Sequence, residues 1–163
     1  MKLLKIFAAS VLLLAAVRSP AVSQETNPNM TKQEKENLKF VLDWWREVLV
    51  ARHVELAPKY QADDYIQHDP NIPTGRDAFV KVIGRRPAEP IPDVLPNLPV
   101  AEFAKGDYVV LVWNRFAVDP TKPNAAYVYN HFDVLRLQNG KIQEHWNSNK
   151  KNPVPPAGAG RGK

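Results

Sequence analysis

The dipeptide Asn139-Gly140 constrains this chain more than any other short stretch, because it separates two runs of alternating apolar and polar residues, 127–138 and 141–148. Asparagine and glycine tolerate the positive φ angles of a tight two-residue turn, which predicts an antiparallel hairpin. Successive side chains of a strand point to opposite faces, so the turn decides which residues share a face. One face is then mostly aromatic and aliphatic, and it carries Tyr127, Tyr129, His131, Asp133, Leu135, Leu137, Ile142, Glu144 and Trp146.

Two ionisable residues, His131 and Asp133, interrupt this apolar face. Such a pair is either an active-site feature or a costly burial that needs a local partner. The same register places Trp146 opposite Asp133 and sends His145 to the other face, where we expect a structural role. A single bulge within 132–137 would exchange the faces of everything beyond it, and His145 would then have to be reconsidered.

The rest of the chain predicts helices followed by strands. A capping box, Thr31-Lys32-Gln33-Glu34, opens a helix whose apolar residues recur at helical spacing as far as Ala51. Trp45 fits the apolar stripe of this helix, and Trp44 flanks it. Three helices ahead of successive antiparallel strands make an α+β domain over residues 31–149. The other expected elements are a helix at 55–61, an extended segment at 63–69, a helix opening at 74–77, and strands at 100–104 and 108–118.

Proline dominates the segment between the third helix and the first of these strands. Residues 84–99 hold five of the fifteen prolines of the chain. So many prolines exclude a helix interior or a central strand, and the segment is therefore a loop. It is either a flap over a site or a plain connector.

The first 23 residues have the pattern of a secretory signal peptide. Lys2 and Lys5 precede an apolar run at 6–17, and small residues at 21–23 provide a cleavage site after Ser23. The run is shorter than the ~20 residues that a spanning helix needs, although an uncleaved anchor is the alternative. We expect a secreted or periplasmic protein that is not inserted in a membrane after cleavage, with a polar lead-in at 24–30.

The two ends of the chain carry its excess positive charge. Residues 24–149 hold 15 basic and 17 acidic side chains, whereas the whole chain has 22 and 17. The predicted domain therefore lacks the basic stripe of a nucleic-acid-binding protein, and we expect no nucleic acid as a partner. The tail, residues 150–163, is basic and rich in proline and glycine, which is typical of disordered segments.

Several kinds of chemistry are excluded or disfavoured by residue content. Cysteine is absent, which excludes disulfides, thiolate catalysis and cysteine-ligated metals. His68, His131, His145 and Asp133 include ligand types that zinc takes, but no HxH or HExxH spacing occurs, so we expect no metal site. No serine lies in the G-x-S-x-G context that would indicate nucleophilic hydrolysis.

Two segments carry a family resemblance. The first reads DDYIQHDP over 63–70 and leads to a helix that starts GRDAF at 75–79. The second reads HFDVLRLQNGKIQEHW over 131–146. Together with the amphipathic first helix, they resemble the SnoaL-like polyketide cyclase family, within the superfamily named after nuclear transport factor 2, over roughly residues 34–149.

This resemblance implies a cone-shaped, curved antiparallel sheet with three N-terminal helices packed around a central pocket. Characterised members close rings by intramolecular aldol chemistry without a metal or Schiff base, so no cofactor is implied. They use an acidic residue as general acid and base, and Asp133 matches the Asp of the family's Asp-x-x-Arg motif. His68 matches the His of the Gln-His-x-Pro motif, which implies a position near the pocket rim.

The candidate catalytic residues are thus Asp133, His131 and His68. Aldol chemistry needs a base that removes a proton next to a carbonyl and an acid that protonates the new alkoxide. Structural alternatives stay open: Asp133 can form a salt bridge with Arg115, and His68 can cap a turn. The candidate substrate-binding residues are all aromatic, and they are Trp45, Tyr65, Trp113, Tyr129 and Trp146. For Trp45, on the apolar stripe of the first helix, core packing is the alternative.

The expected ligand is a small apolar molecule in a deep pocket. The protein either converts it, by cyclisation, isomerisation or dehydration, or only binds it, because one fold hosts both kinds of function. Phe132 and Val134 lie on the outer face of the predicted sheet, which favours a sheet-to-sheet homodimer.

Overall fold

The computed structural model describes residues 29–122 and 124–152. They form a curved, open sheet of five strands in the order β1-β5-β4-β3-β2, with the helices packed against one face, and this confirms the predicted α+β fold. The predicted signal peptide lies outside the described residues, as does most of the predicted tail. The elements are α1 (Lys32–Trp44), a π-helical turn (Trp45–Val50), a 3-10 turn (Val54–Leu56), α2 (Ala57–Tyr60), β1 (Gln61–Gln67), α3 (Arg76–Ile83), β2 (Ala101–Lys105), β3 (Tyr108–Val118), β4 (Ala126–Gln138) and β5 (Lys141–Asn147).

The described helices are short. None of them combines the length and apolar character that crossing a membrane requires.

The first helix begins with the predicted capping box. The Thr31 hydroxyl accepts from the backbone N–H of Glu34 (3.2 Å), and the Glu34 carboxylate accepts from the backbone N–H of Thr31 (2.8 Å). Glu34 also accepts from the backbone N–H of Gly106 (2.9 Å), which ties α1 to the β2–β3 turn. The hydrogen bonds from Gly106 and Thr31 lower the pKa of Glu34 to about 2.

A Glu34→Gln variant is expected to lose the pH dependence that this carboxylate gives to folding. A lowered pKa in the folded state stabilises the fold above the ordinary value of 4.5, and this stability is lost as the pH falls toward about 2. Urea unfolding between pH 2 and 6 should therefore show a wild-type advantage that shrinks on acidification. A difference between the two proteins that stays constant with pH would assign the effect to shape rather than charge.

The helix changes its winding where two tryptophans adjoin. The sequence pattern predicted one regular helix to Ala51, but the chain widens into a π-helical turn from Trp45 onward. Trp44 and Trp45 lie where the two windings meet, and both are buried, at 0% and 8% exposure. The expectation that Trp44 only flanks the buried stripe was therefore wrong.

The sheet contains one strand more than the predicted meander. β2 to β5 pair antiparallel in sequence order, as expected. β1 adds to the other edge of β5 in the parallel sense, with Gln67 opposite His145. The extended segment near residue 65 thus lies directly beside the C-terminal hairpin.

The Asn139-Gly140 turn forms as predicted, but the hairpin register shifts beyond it. Both turn residues have positive φ, 53° and 72°, and Gln138 pairs with Lys141. Leu137 then pairs with Ile142, whereas Arg136 pairs with Glu144, so Gln143 is an extra residue that forms a β-bulge.

The bulge exchanges the faces of the rest of β5. Asp133 lies opposite Asn147 rather than Trp146, and Leu135 lies opposite His145 rather than Glu144. His145 therefore shares the inner face with Asp133, and its predicted placement on the outer face was wrong.

The proline-rich loop is fixed to the end of the first helical segment. The Arg46 guanidinium donates to the carbonyl of Pro92 (3.1 Å), and Arg52 donates to the carbonyl of Pro87 (2.9 Å). Arg52 also forms an ion pair with Glu89. These contacts place the loop beside the helix and leave its later residues, 96–100, next to β3.

Candidate active site

The candidate site is centred on the buried carboxylate of Asp133. This residue is 1% exposed, and its Oδ1 lies 2.9 Å from His145 Nε2. Its Oδ2 lies 3.4 Å from His131 Nε2 and has no hydrogen bond to the described residues. No ion pair of the described residues joins Asp133 to Arg115, so the salt-bridge alternative for Asp133 was wrong.

A chain of hydrogen bonds fixes the orientation of His145. The backbone N–H of Asp69 donates to Gln67 Oε1 (3.0 Å), which sets the orientation of the Gln67 amide. Gln67 Nε2 therefore faces His145 Nδ1, 3.4 Å away, as a donor. His145 Nδ1 then accepts, its proton lies on Nε2, and the ring donates to Asp133.

A second chain of hydrogen bonds fixes the orientation of His131. The backbone N–H of Phe132 donates to Ser148 Oγ (3.0 Å), so the Ser148 hydroxyl proton is available to His131 Nδ1, 3.0 Å away. The Ser148 hydroxyl thereby orients the His131 ring, whose Nε2 faces Asp133 Oδ2 at 3.4 Å. Each oxygen of the Asp133 carboxylate thus faces the Nε2 atom of an imidazole.

In a Gln67→Glu variant, His145 Nδ1 is expected to change from the acceptor to the donor of its hydrogen bond with residue 67. Carboxylate oxygens only accept, so His145 Nδ1 must take a proton to keep this contact. In nitrogen-15 NMR spectra, the chemical shift of His145 Nδ1 should move from the range of an unprotonated ring nitrogen to that of a protonated one. Gln138→Glu, on an exposed residue, should leave the His145 signals unchanged, and an unchanged His145 in Gln67→Glu would contradict the assigned tautomer.

Two stacked tryptophans cover the histidines. The rings of Trp45 and Trp113 lie 4.6 Å apart at an interplanar angle of 27°, and the Trp45 ring meets His145 edge-on at 6.4 Å. Trp113 pairs directly with His131 across β3 and β4. The sequence predicted these two tryptophans as pocket residues, and the structure brings both beside the Asp133 centre.

The opposite wall is equally aromatic. Trp44 stacks on Phe79 with 5.7 Å between ring centres and meets His145 edge-on at the same separation. Tyr65, another predicted pocket residue, packs edge-on against Phe79, and its hydroxyl accepts from Gln67 Nε2 (2.9 Å). Burial raises the pKa of Tyr65 far above its ordinary value, so this hydroxyl stays protonated and serves as a hydrogen-bonding group.

Two of the predicted site residues lie on the outer face of the sheet. His68 follows the inward-facing Gln67, so it points outward, where it stacks on Trp146 at 4.6 Å and contacts Glu144 Oε2 (3.0 Å). Trp146 is there because of the bulge at Gln143. The structure therefore separates both from Asp133, and the expected positions of His68 at the rim and of Trp146 beside Asp133 were wrong.

Tyr129, the remaining predicted residue, lies beyond the end of β5. It is 41% exposed and lines an open groove of about 580 Å³ along β4 that ends at Ser148. A second groove, of about 740 Å³, runs between residues 96–100 and β3 and is lined by Trp113. Asp133 lines neither of these two grooves, and its 1% exposure shows that the carboxylate is enclosed.

A buried carboxylate anchors the segment that carries Ser148. Asp69 accepts from Asn147 Nδ2 (2.7 Å), Asn149 Nδ2 (2.6 Å) and the backbone N–H of Asn71 (2.7 Å). Burial alone would raise the pKa of Asp69, but these hydrogen bonds outweigh it and lower the pKa. The chain after β5 is thereby held in the position that lets Ser148 reach His131.

Sequence reasoning missed His145, Gln67 and Ser148. The bulge that returns His145 to the inner face has no proline or glycine to mark it. Gln67 belongs to the Gln-His-x-Pro motif, so the motif was a signal for this residue, but the prediction took only His68 from it. A search of the described residues finds no group of three or more His, Asp or Glu residues that could hold a metal ion.

Comparisons with known proteins place this geometry in a family. No curated protein matches the sequence. An LEH-like epoxide hydrolase from M. tuberculosis superposes with a TM-score of 0.50 at 11% identity, over 71% of this chain and 83% of that one, and this likeness shows the fold alone. A candidate polyketide cyclase from Acidithiobacillus ferrooxidans superposes with a TM-score of 0.49 at 21% identity, over 72% and 89% of the two chains.

The family assignment follows from the sequence profile. The profile of the SnoaL-like domain matches residues 41–145, from the last turn of α1 to the histidine that contacts Asp133. The matched region contains α2, α3, strands β1 to β4 and β5 as far as His145, whereas Ser148 lies outside it. The chain belongs to the SnoaL-like domain family.

Proposed function

We propose that the protein is a cofactor-free acid–base catalyst that acts on a small, largely apolar molecule, with Asp133 as the group that moves the proton. The observation that carries this proposal is a carboxylate with 1% exposure whose two oxygens face the Nε2 atoms of His145 and His131. Burial of a carboxylate is costly unless the group is paired or hydrogen-bonded, and here the groups that face it are imidazoles, which can take up and return a proton. Enclosed ionisable groups with specific partners are typical of functional sites.

The chemistry follows from what a carboxylate between two imidazoles can do. Because Asp133 is enclosed, this mechanism requires the aromatic side chains around it to move and admit the substrate. Asp133 then takes a proton from a carbon next to a carbonyl, and the C–H electron pair moves into the carbonyl group to form an enolate. The protonated Asp133 then returns the proton to another carbon, which is isomerisation, or to the alkoxide formed when the enolate attacks a second carbonyl. The aromatic walls exclude water, which strengthens each of these electrostatic contacts.

A panel of reactions tests whether the protein turns anything over. The wild type is assayed for tautomerisation of phenylpyruvate, retro-aldol cleavage of 4-hydroxy-4-phenyl-2-butanone and isomerisation of 5-androstene-3,17-dione, with binding measured in parallel by calorimetry. Turnover of at least one compound above the buffer rate is expected. Binding without turnover across the panel would instead favour a non-catalytic ligand-binding module of the same fold.

We also propose that the protein is exported and forms a homodimer. Export is supported by the signal-like pattern at 1–23, which predicts that the mature protein begins at Gln24 and can be checked by its intact mass. Dimerisation is supported by large apolar side chains exposed on the outer sheet face, with Phe132 at 47% and Phe116 at 77%. Light scattering that gave a monomer at all concentrations would contradict it.

A further inference from the structure

Arg115 is a cation beside the site that has no carboxylate partner among the described residues. Four other arginines form ion pairs there, namely Arg46, Arg52, Arg76 and Arg136. Arg115 instead places its guanidinium over the Trp113 ring, 5.7 Å from the ring centre. Stacking of this kind fixes the orientation of a guanidinium and leaves its N–H groups available for another molecule.

This guanidinium lines the groove of about 740 Å³ between residues 96–100 and β3. Its volume falls in the range of sites that take small molecules. Besides Trp113, the groove is lined by apolar residues and by two side-chain amides. The apolar residues are Pro96, Leu98, Val100 and Phe116, and the amides belong to Asn97 and Asn114.

Trp113 and His131 lie between the groove and Asp133. Trp113 lines the groove and is 3% exposed, and it pairs with His131, whose Nε2 faces Asp133. The indole N–H of Trp113 is buried and has no hydrogen-bond partner among the described residues.

From these contacts we infer that the groove binds a small planar aromatic molecule that carries an anionic group, foremost a carboxylate. Arg115 binds the anion through its paired N–H groups, which match the two oxygens of a carboxylate. The aromatic part lies against the apolar lining and Trp113, pointed toward the Asp133 centre. The binding itself does not depend on catalysis, whereas the fate of the bound molecule rests on the proposed function.

A matched pair of probes tests the charge requirement. 2-Naphthoate and 2-naphthamide have nearly the same shape, but only the first is an anion. We expect calorimetry to show that the wild type binds 2-naphthoate about tenfold more tightly than 2-naphthamide, since hydrogen bonds between charged groups are the stronger ones. Binding should shift the NMR signals of the Asn97 and Asn114 side-chain amides.

Variants assign the anion to Arg115. Arg115→Gln should lose this preference for 2-naphthoate and keep its affinity for 2-naphthamide within about twofold, while Arg115→Lys should retain part of the preference. Arg86→Gln, which removes an exposed charge in the proline-rich loop, should bind as the wild type does.

Two results would overturn the inference. One is equal affinity of the wild type for both probes, and the other is an equal loss of 2-naphthoate binding in Arg115→Gln and Arg86→Gln. Both are read from binding, so a failure of catalysis in the reaction panel would leave them unaffected.

Discussion

An Asp133→Asn variant is expected to lose about a thousandfold in kcat on whichever panel compound the wild type converts, with little change in KM. The amide has nearly the same size and can still accept from His145 through its oxygen. It has no basic lone pair with which to remove a proton from carbon. Substrate contacts with the aromatic walls are unchanged, so the loss falls on the chemical step.

The matched control is Asp93→Asn, which removes an exposed carboxylate in the proline-rich loop and should keep wild-type rates. Circular dichroism and the unfolding midpoint of both variants show whether the fold is retained. Equal rates for Asp133→Asn and the wild type on every converted compound would remove Asp133 from the mechanism. A loss of activity together with a loss of fold would instead give Asp133 a structural role.

His145 and His131 are expected to have different roles in a reaction at Asp133. His145 is enclosed between Trp44 and Trp45 and is oriented through Gln67, so it holds the carboxylate in one position. His131 is oriented by Ser148, which lines the open groove along β4. Proton exchange with solvent is therefore expected through His131, and orientation of Asp133 through His145.

The site depends on a turn that the local sequence predicts and on a β-bulge that it does not. Asn139-Gly140 fixed the turn correctly, because the conformation it needs is a property of those two residues. The bulge at Gln143 depends instead on how β5 fits between β4 and β1, where Gln143 reaches across to Asp64 (3.0 Å). No local pattern encodes that contact, so the sequence pattern predicted the inner-face position of Asp133 correctly and placed His145 on the wrong face.

The first helix likewise has one feature that the local sequence predicts and one that it does not. Its start was predicted correctly, because capping is a contact between residues three positions apart. Its π-helical turn at Trp45–Val50 was not predicted, because the apolar residues around it keep the spacing of a regular helix and no local signal marks the wider winding.

A Trp44→Ala variant is expected to lower the free energy of unfolding by about 3–5 kcal/mol, the range found for large aromatic residues in closely packed cores. Trp44 is fully buried and contacts Phe79, Trp45 and His145. Urea unfolding measures the loss. The matched control is Trp146→Ala on the outer face, where the ring is half-buried and stacks on His68, and it should cost less than half as much.

A Trp44→Phe variant distinguishes the contribution of Trp44 to core packing from its contact with His145. The smaller ring removes volume, but it also removes an indole N–H that is buried without a partner among the described residues, so its cost should be only about 1–2 kcal/mol. The loss of the edge-on contact frees the His145 ring, so its nitrogen signals should broaden or shift in Trp44→Phe while Trp146→Ala leaves them unchanged. If Trp146→Ala costs more than Trp44→Ala, the Trp44 ring does not lie in the core, and the wall beside His145 must be built by other residues.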